Sequence, residues 1–223
     1  MGTSKEAAIS DNMPRTITWY FDFISPYAWL QAERFARLPA HVTLQCRPVL
    51  FAGLLEHWGQ LGPAEIGPKR VFTYEYIVWR AAQLGLACKL PPVHPFNPLK
   101  LLRLAVLLEA DHAQALRLFR FVWSEGHVAE ENDAWRALTA ELGVPDAEAR
   151  LGGPEVKERL RRNGEEAIAQ GVFGVPTAVI DGRLFWGVDA TDMLLDYLTA
   201  NAVFRSEEMQ RAATLPIGKA RTR

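Results

Sequence analysis

The chain has 223 residues, 49% hydrophobic and 23% charged, with a formal net charge of -1. This is an ordinary soluble globular composition, long enough for one domain with a large insertion or for two small domains. The near-neutral charge argues against a nucleic-acid binder, which shows a basic face, and no run reaches the ~20 apolar residues of a membrane span.

The first stretch, "MGTSKEAAISDNMPRT", lacks the apolar core of a signal peptide. It reads as an arm, with residues 1–13 flexible and Met13 a candidate start. Cytoplasmic residence is the default expectation. "TITWYFDF", 16–23, is β-branched and aromatic and reads as a buried strand. "PYAWLQAERFARLP" has helical periodicity and stops at Pro39. "HVTLQCRPVL", 41–50, turns Val42, Leu44 and Cys46 inward and reads as a second strand. Strand, helix and strand with short loops predict a right-handed parallel unit.

From Phe51 to about Gly171 the pattern is helical. "RVFTYEYIVWRAAQLG" is amphipathic and ends at Gly85, and the four prolines of "LACKLPPVHPFNPLK" mark an ordered loop. "LKLLRLAVLLEA", "ALRLFRFVWSEG", and "NDAWRALTAELG" after an Asn132/Asp133 cap follow as helices. "GPEVKERLRRNGEEAIAQG" is another, with Pro154 in its first turn and Gly171 at its end. "VPTAVIDGRLFWG" reads as a hairpin turning at Asp181-Gly182, and "DATDMLLDYLTA" as a helix capped by Asp189 or Thr191. The tail after Asn201 reads as loosely ordered.

The order βαβ, helical block, then αββα predicts an α/β thioredoxin-like fold with a large all-helical insertion. The expected units are a discontinuous thioredoxin-like domain, 14–50 with 155–203, a helical insertion, 51–154, and flexible termini, 1–13 and 204–223.

Cys46 and Cys88 form no CxxC pair, so dithiol redox chemistry within the chain is not expected; they read as buried free thiols, with a structural disulfide the alternative. The five histidines show no ligand spacing, so no metal site is expected. Glu130/Glu131 and Glu165/Glu166 read as solvated charges, and the tryptophans as mostly core, with Trp186 able to approach a site from its strand.

Ser25-Pro26 at the strand–helix junction suits a simple N-cap with proline at the first helical position. A functional reading needs a partner, and "GVFGVPT" supplies one. In a thioredoxin fold the active group sits at the N-terminus of the first helix, facing a Val-Pro cis peptide just before the third strand. Val175-Pro176 stands there.

The ordered set "FDFISPYAWL", "PFNP", "GVFGVPT" and "WGVD", spread over about 17–200, resembles the DsbA-like family that holds 2-hydroxychromene-2-carboxylate isomerases and kappa-class glutathione transferases. The resemblance implies that Ser25 stands at the redox cysteine position and Ala28 at the second. It therefore implies glutathione as cofactor. A hydroxyl donating to sulfur favours the thiolate, and the helix N-terminus adds partial positive charge. The resemblance further implies that Val175, beside Pro176, pairs with the cysteinyl backbone. The Val188 and Asp189 N–H groups would hold the γ-glutamyl carboxylate, and the Asp189 side chain its ammonium, or Asp189 is only a cap. Asn97 is a substrate or glutathione contact or an Asx turn, and Phe96 an aromatic wall or packing. Lys69 or Arg70 would bind a carboxylate or stay solvated.

The expected activity is glutathione-dependent isomerisation of a conjugated 2-oxo acid, as in aromatic degradation, by reversible thiolate addition. The alternatives are conjugation of glutathione to electrophiles and a non-catalytic peptide-binding module. One departure stands out: the isomerases are expected to carry a further lysine early in the insert, and "FAGLLEHWGQL", 51–61, has neither lysine nor arginine. The resemblance implies a homodimer acting on a small aromatic or 2-oxo acid substrate.

Overall fold

The computed structural model describes residues 14–218. Four strands, β1 (Arg15–Phe21), β2 (Val42–Pro48), β3 (Thr177–Ile180) and β4 (Arg183–Trp186), form one sheet in the order β2-β1-β3-β4. β1 and β2 are parallel, joined over α1 (Pro26–Arg34), as the short connections predict. β3 pairs antiparallel with β1, and β4 with β3. Asp181 and Gly182, both at positive φ, make the hairpin turn. Two positive φ values in a two-residue loop match the twist of the flanking strands. This is the expected α/β thioredoxin-like arrangement.

The strand bounds are narrower than the apolar runs. β1 ends at Phe21 and not at Phe23, because Asp22 and Ser25 turn the chain into α1. β2 alternates as read, with Thr43 and Gln45 exposed.

Between the two halves of the sheet lie α2 (Phe51–Trp58), α3 (Gly67–Gln83), α4 (Leu99–Leu107), α5 (His112–Trp123), α6 (Asn132–Glu141) and α7 (Ala147–Arg150). α8 (Pro154–Ala169) leads into β3, and α9 (Ala190–Leu198) follows β4. α6 has no side-chain cap: Glu131 holds the cap position, and Asp133 pairs with Arg136 instead. The Glu131 carboxylate lies 2.7 Å from His127 Nδ1, and Glu165 pairs with Arg161, so neither is merely solvated. The segment after Asn201 is more regular than its sequence pattern predicts. Asn201 caps a turn at Ala202–Arg205, Phe204 packs on Tyr197 and Phe185, and α10 (Glu207–Arg211) follows.

One hydrophobic cluster runs through Trp19, Phe21, Phe23 and Trp29 into Phe119, Trp123 and Trp135 of the helical segment. Trp19, Phe21, Phe23 and Phe119 interlock with ring centroids 4.2–5.9 Å apart, the spacing of favourable aromatic pairs. Burying such side chains contributes ~2–3 kcal/mol each. A smaller cluster on the other sheet face joins Tyr20, Val49, Leu54, Val172 and Val175. Trp58, Trp79 and Trp186 depart from the core pattern and are exposed.

Among the buried polar side chains is Gln31, fully buried on α1. Its Oε1 accepts from Trp19 Nε1 at 2.8 Å. Its Nε2 donates to the Gly187 carbonyl at 3.0 Å and lies 3.3 Å from Thr191 Oγ1. One turn on, Arg34 donates to the Val188 carbonyl at 2.7 Å and to Asp192 at 2.6 Å. The first helix thus grips the β4–α9 loop directly. Replacing Gln31 by leucine takes a partner from the fully buried Trp19 indole and from the partly buried Gly187 carbonyl. We expect Gln31→Leu to lower the unfolding free energy by about 3 kcal/mol in urea titrations.

Candidate active site

Ser25 is the N-cap of α1, with extended backbone at φ -92, ψ 111. Its Oγ accepts from the Ala28 N–H at 3.3 Å, and its carbonyl accepts from Ala28 and Trp29. The capping role is therefore real. It uses a lone pair and leaves the hydroxyl hydrogen free to donate. Pro26 has no N–H, and among the described residues nothing accepts from the Tyr27 N–H. The helix tip thus presents one hydroxyl and one main-chain donor, with the positive end of the helix dipole behind them.

The turn that carries Ser25 is held by Asp22, which is fully buried. Asp22 Oδ1 accepts from Ile24 N–H at 3.1 Å, and Oδ2 from Phe51 N–H at 2.9 Å. The second bond caps α2, whose own cap residue, Leu50, has no side-chain acceptor. Burial outweighs these donors and pushes the Asp22 carboxyl up to about 7. Nothing in the sequence pattern separates Asp22 from the apolar run around it. The signal available is a lone carboxylate inside "YFDFIS".

Val175-Pro176 is cis, as predicted. Tyr20 pairs with Thr177 across β1 and β3. Continuing that register sets Val175-Pro176 beside the chain leaving β1, at the sheet end where α1 starts. Among the described residues nothing pairs with the Val175 N–H or C=O. The Pro176 carbonyl accepts from Gly187 N–H at 2.9 Å, which ties the cis turn to "WGVD".

In that loop Val188 is buried and Asp189 exposed. Asp189 occupies the N-cap position of α9 but is helical, at φ -67, ψ -31, and makes no capping bond. Thr191 does not cap either; its hydroxyl donates to the Val188 carbonyl at 2.6 Å. The Asp189 carboxylate folds back over Gly187, where a Cβ would stand 2.5 Å from Oδ1 and where φ is +89. The positive φ is what calls for glycine there, since the carboxylate could swing aside. No partner for the Asp189 carboxylate lies among the described residues, and nothing accepts from the Val188 and Asp189 N–H groups.

The remaining candidates separate. Phe96 is buried, 5.9 Å from the His94 ring and 6.5 Å from Trp123, so it packs and offers no open wall. Asn97 makes the Asx turn, its Oδ1 accepting from Leu99 N–H at 3.0 Å. Lys69 and Arg70 are exposed in the first turn of α3. Arg70 alone acts electrostatically on Tyr74 and His94. His94, read from sequence only as a non-ligand, bonds the Ile24 carbonyl at 2.8 Å. Trp186 stacks edge-on with Phe173 over Gly174, whose missing side chain makes room for the indole.

Cys46 and Cys88 are free and half-buried, and burial pushes the Cys46 thiol up to about 12 and raises that of Cys88. A cleft of about 540 Å³ along β2, between α4 and α8, contains none of the predicted site residues. A smaller one, about 180 Å³, lies under the proline-rich loop against Tyr74, His94 and Trp123. No helix among the described residues is long and apolar enough to cross a membrane.

The raised Asp22 carboxyl has a defined linkage to stability. The native state holds its proton between about pH 4, where the unfolded carboxyl titrates, and about pH 7. Its contribution is thus present at low pH and lost as pH rises through about 7. We expect Asp22→Asn to lower stability at pH 5, because one backbone donor loses its acceptor. The same variant should flatten the pH 5–8 slope of the unfolding free energy relative to wild type in denaturant titrations.

Comparison with known proteins agrees with this geometry. A family model described as a DSBA-like thioredoxin domain matches residues 16–199. Human glutathione S-transferase kappa 1 is 25% identical over 207 residues, covering 83% of this chain and 92% of that protein. The 2-hydroxychromene-2-carboxylate isomerases of Sphingobium xenophagum and Pseudomonas putida are 27% and 29% identical, covering 83% and 80% of this chain and 99% and 91% of theirs. A solved 2-hydroxychromene-2-carboxylate isomerase superposes with a TM-score of 0.74 at 23% identity, over 90% of this chain and all of that one. With a serine at the helix tip, a cis-proline turn beside it and a match over most of its length, the chain belongs to the DSBA-like thioredoxin domain family.

Proposed function

We propose that the protein is a cytoplasmic glutathione-dependent enzyme that isomerises a conjugated 2-oxo acid, of the 2-hydroxychromene-2-carboxylate isomerase type. The observation that carries the reading is the pair of free donors at the α1 tip, the Ser25 hydroxyl and the Tyr27 N–H, with no thiol beside them. Relatives named as these isomerases and as glutathione S-transferases support the class.

The residues present fit glutathione. Val175 has an unpaired N–H and C=O for an extended peptide backbone. Val188 and Asp189 offer N–H groups at the start of α9 for a carboxylate, and the unpartnered Asp189 carboxylate suits an ammonium. When bound, glutathione would supply a thiolate, the nucleophile that reversible addition to a conjugated double bond requires. The Ser25 hydroxyl and Tyr27 N–H stabilise negative charge on sulfur, and the helix dipole adds to them. Serine cannot trap the sulfur in a disulfide. Arg70, whose charge acts on His94, would receive the substrate carboxylate, with Lys69 beside it in sequence.

A second reading keeps the cofactor and changes the outcome: conjugation of glutathione to electrophiles. The absence of lysine and arginine from 51–61 favours it, since a non-ionic electrophile needs no cation there. Product analysis decides between them. Isomerisation leaves total glutathione unchanged, whereas conjugation consumes it mole for mole. For Ser25→Ala we expect a stability loss of about 1 kcal/mol from the missing cap. Turnover should fall roughly 10²-fold, with glutathione still bound in calorimetry. Full turnover in this variant rejects Ser25 as the sulfur's donor.

The homodimer implied by the family has a supporting surface. α3 buries Thr73, Ile77 and Ala81 on one side yet exposes Phe72 (61%), Val71 and Trp79 (54% each) on the other. A helix apolar on both sides is normally covered on both. We expect Phe72→Glu with Trp79→Glu to yield monomer in sedimentation at concentrations where wild type is dimeric.

A further inference from the structure

The two peptide planes preceding Ser25 are each held at both ends. In the plane between Phe23 and Ile24, the carbonyl accepts from Trp123 Nε1 at 2.9 Å and the N–H donates to Asp22 Oδ1 at 3.1 Å. In the plane between Ile24 and Ser25, the N–H donates to the Asp22 carbonyl at 3.0 Å, and the carbonyl meets His94 Nε2 at 2.8 Å. Three of these four ties come from Asp22 or from the buried indole of Trp123. The fourth comes from a loop residue outside the sheet.

We propose that His94 is a positioning residue for Ser25: its Nε2–H fixes the peptide before the serine, so that the Ser25 hydroxyl and the Tyr27 N–H converge on one sulfur. The inference rests on the reading of Ser25 given above. A carbonyl can only accept, so Nε2 carries the hydrogen and Nδ1 of a neutral ring is an acceptor. Tyr74 on α3 lies at that nitrogen, its hydroxyl 2.8 Å from Nδ1 and 3.1 Å from the His94 carbonyl. The Ile24 carbonyl thus selects the tautomer, and Tyr74 holds the other side of the ring. The ring is wedged between Phe96 and Trp123, with centroids 5.9 and 5.4 Å away. Burial lowers its pKa, with the Arg70 charge adding to this and the Ile24 bond opposing it, so the neutral ring is favoured. Tyr74, at the ring itself, and Asp22, on the Ile24 N–H of the same turn, are further titratable groups here. Without the His94 bond, the Ile24 carbonyl loses its partner and the plane can rotate, carrying the serine with it.

The test places a reporter thiol at the helix tip and needs no glutathione. In Ser25→Cys, the rate of alkylation by iodoacetamide against pH gives the pKa of the introduced thiol. Wild type, whose Cys46 and Cys88 are suppressed by burial, serves as blank. Adding His94→Leu should raise the pKa of this reporter by about one unit, close to tenfold less thiolate at neutral pH. His94→Gln, whose amide can donate to the Ile24 carbonyl, should restore most of it. Tyr74→Phe should raise it by a smaller amount. An unchanged pKa in His94→Leu overturns the proposal. So does a glutamine variant shifted as far as the leucine variant, since packing and not the donated bond would then be responsible. Where His94→Leu does not fold by circular dichroism, Tyr74→Phe decides, and a value equal to the parent overturns the proposal. Failure of wild type to bind glutathione in calorimetry would sink the functional reading and leave this measurement intact.

Discussion

The structure depends on satisfying the main chain of one buried turn. Residues 22–25 leave the central strand and enter α1 inside a hydrophobic cluster, where an unpaired peptide group costs about a kilocalorie or more. Asp22 answers part of this locally, and the rest is met by side chains distant in sequence, Trp123 and His94. The helical segment therefore does more than cover the sheet. It completes the hydrogen bonding of the turn that presents Ser25. The order of the chain follows: a sheet half, helices that return to its strand end, then the other sheet half with the cis-proline turn.

The charge arrangement around the turn is consistent with a site built to hold an anion. Burial keeps the Asp22 carboxyl protonated to near neutrality, so a fixed negative charge three residues from Ser25 is largely suppressed below pH 7. His94 stays neutral for a similar reason, aided by Arg70. What remains at the tip is a dipole, a hydroxyl and an N–H.

Much of the fold was legible from periodicity and punctuation. The alternation of β2, the Asp181-Gly182 turn and the Gly85 and Gly171 stops each carry a local physical cause, and each stands where the pattern put it. Ser25 and Val175-Pro176 were legible because their spacing, between strand ends and helix starts, is itself a motif. Asp22, Gln31 and His94 were not. Their importance lies in contacts 29, 156 and 70 positions away, and no local propensity encodes such separations. The caps failed in the same way: Asp189 and Asp133 are good capping residues by type, but one folds over Gly187 and the other pairs with Arg136. Phe96 and Asn97 take the local alternatives that the sequence left open, packing and an Asx turn.

The grip of α1 on the β4–α9 loop has a consequence for selectivity. Ser25 begins this helix, while Gln31 and Arg34, six and nine residues on, hold the carbonyls of Gly187 and Val188. The Ser25 tip and the β4–α9 loop are therefore the two ends mounted on one nine-residue rod, and they cannot drift apart independently. A ligand touching both ends is measured against a fixed gauge, so a shorter or longer thiol peptide should be refused by length before any side chain distinguishes its chemistry.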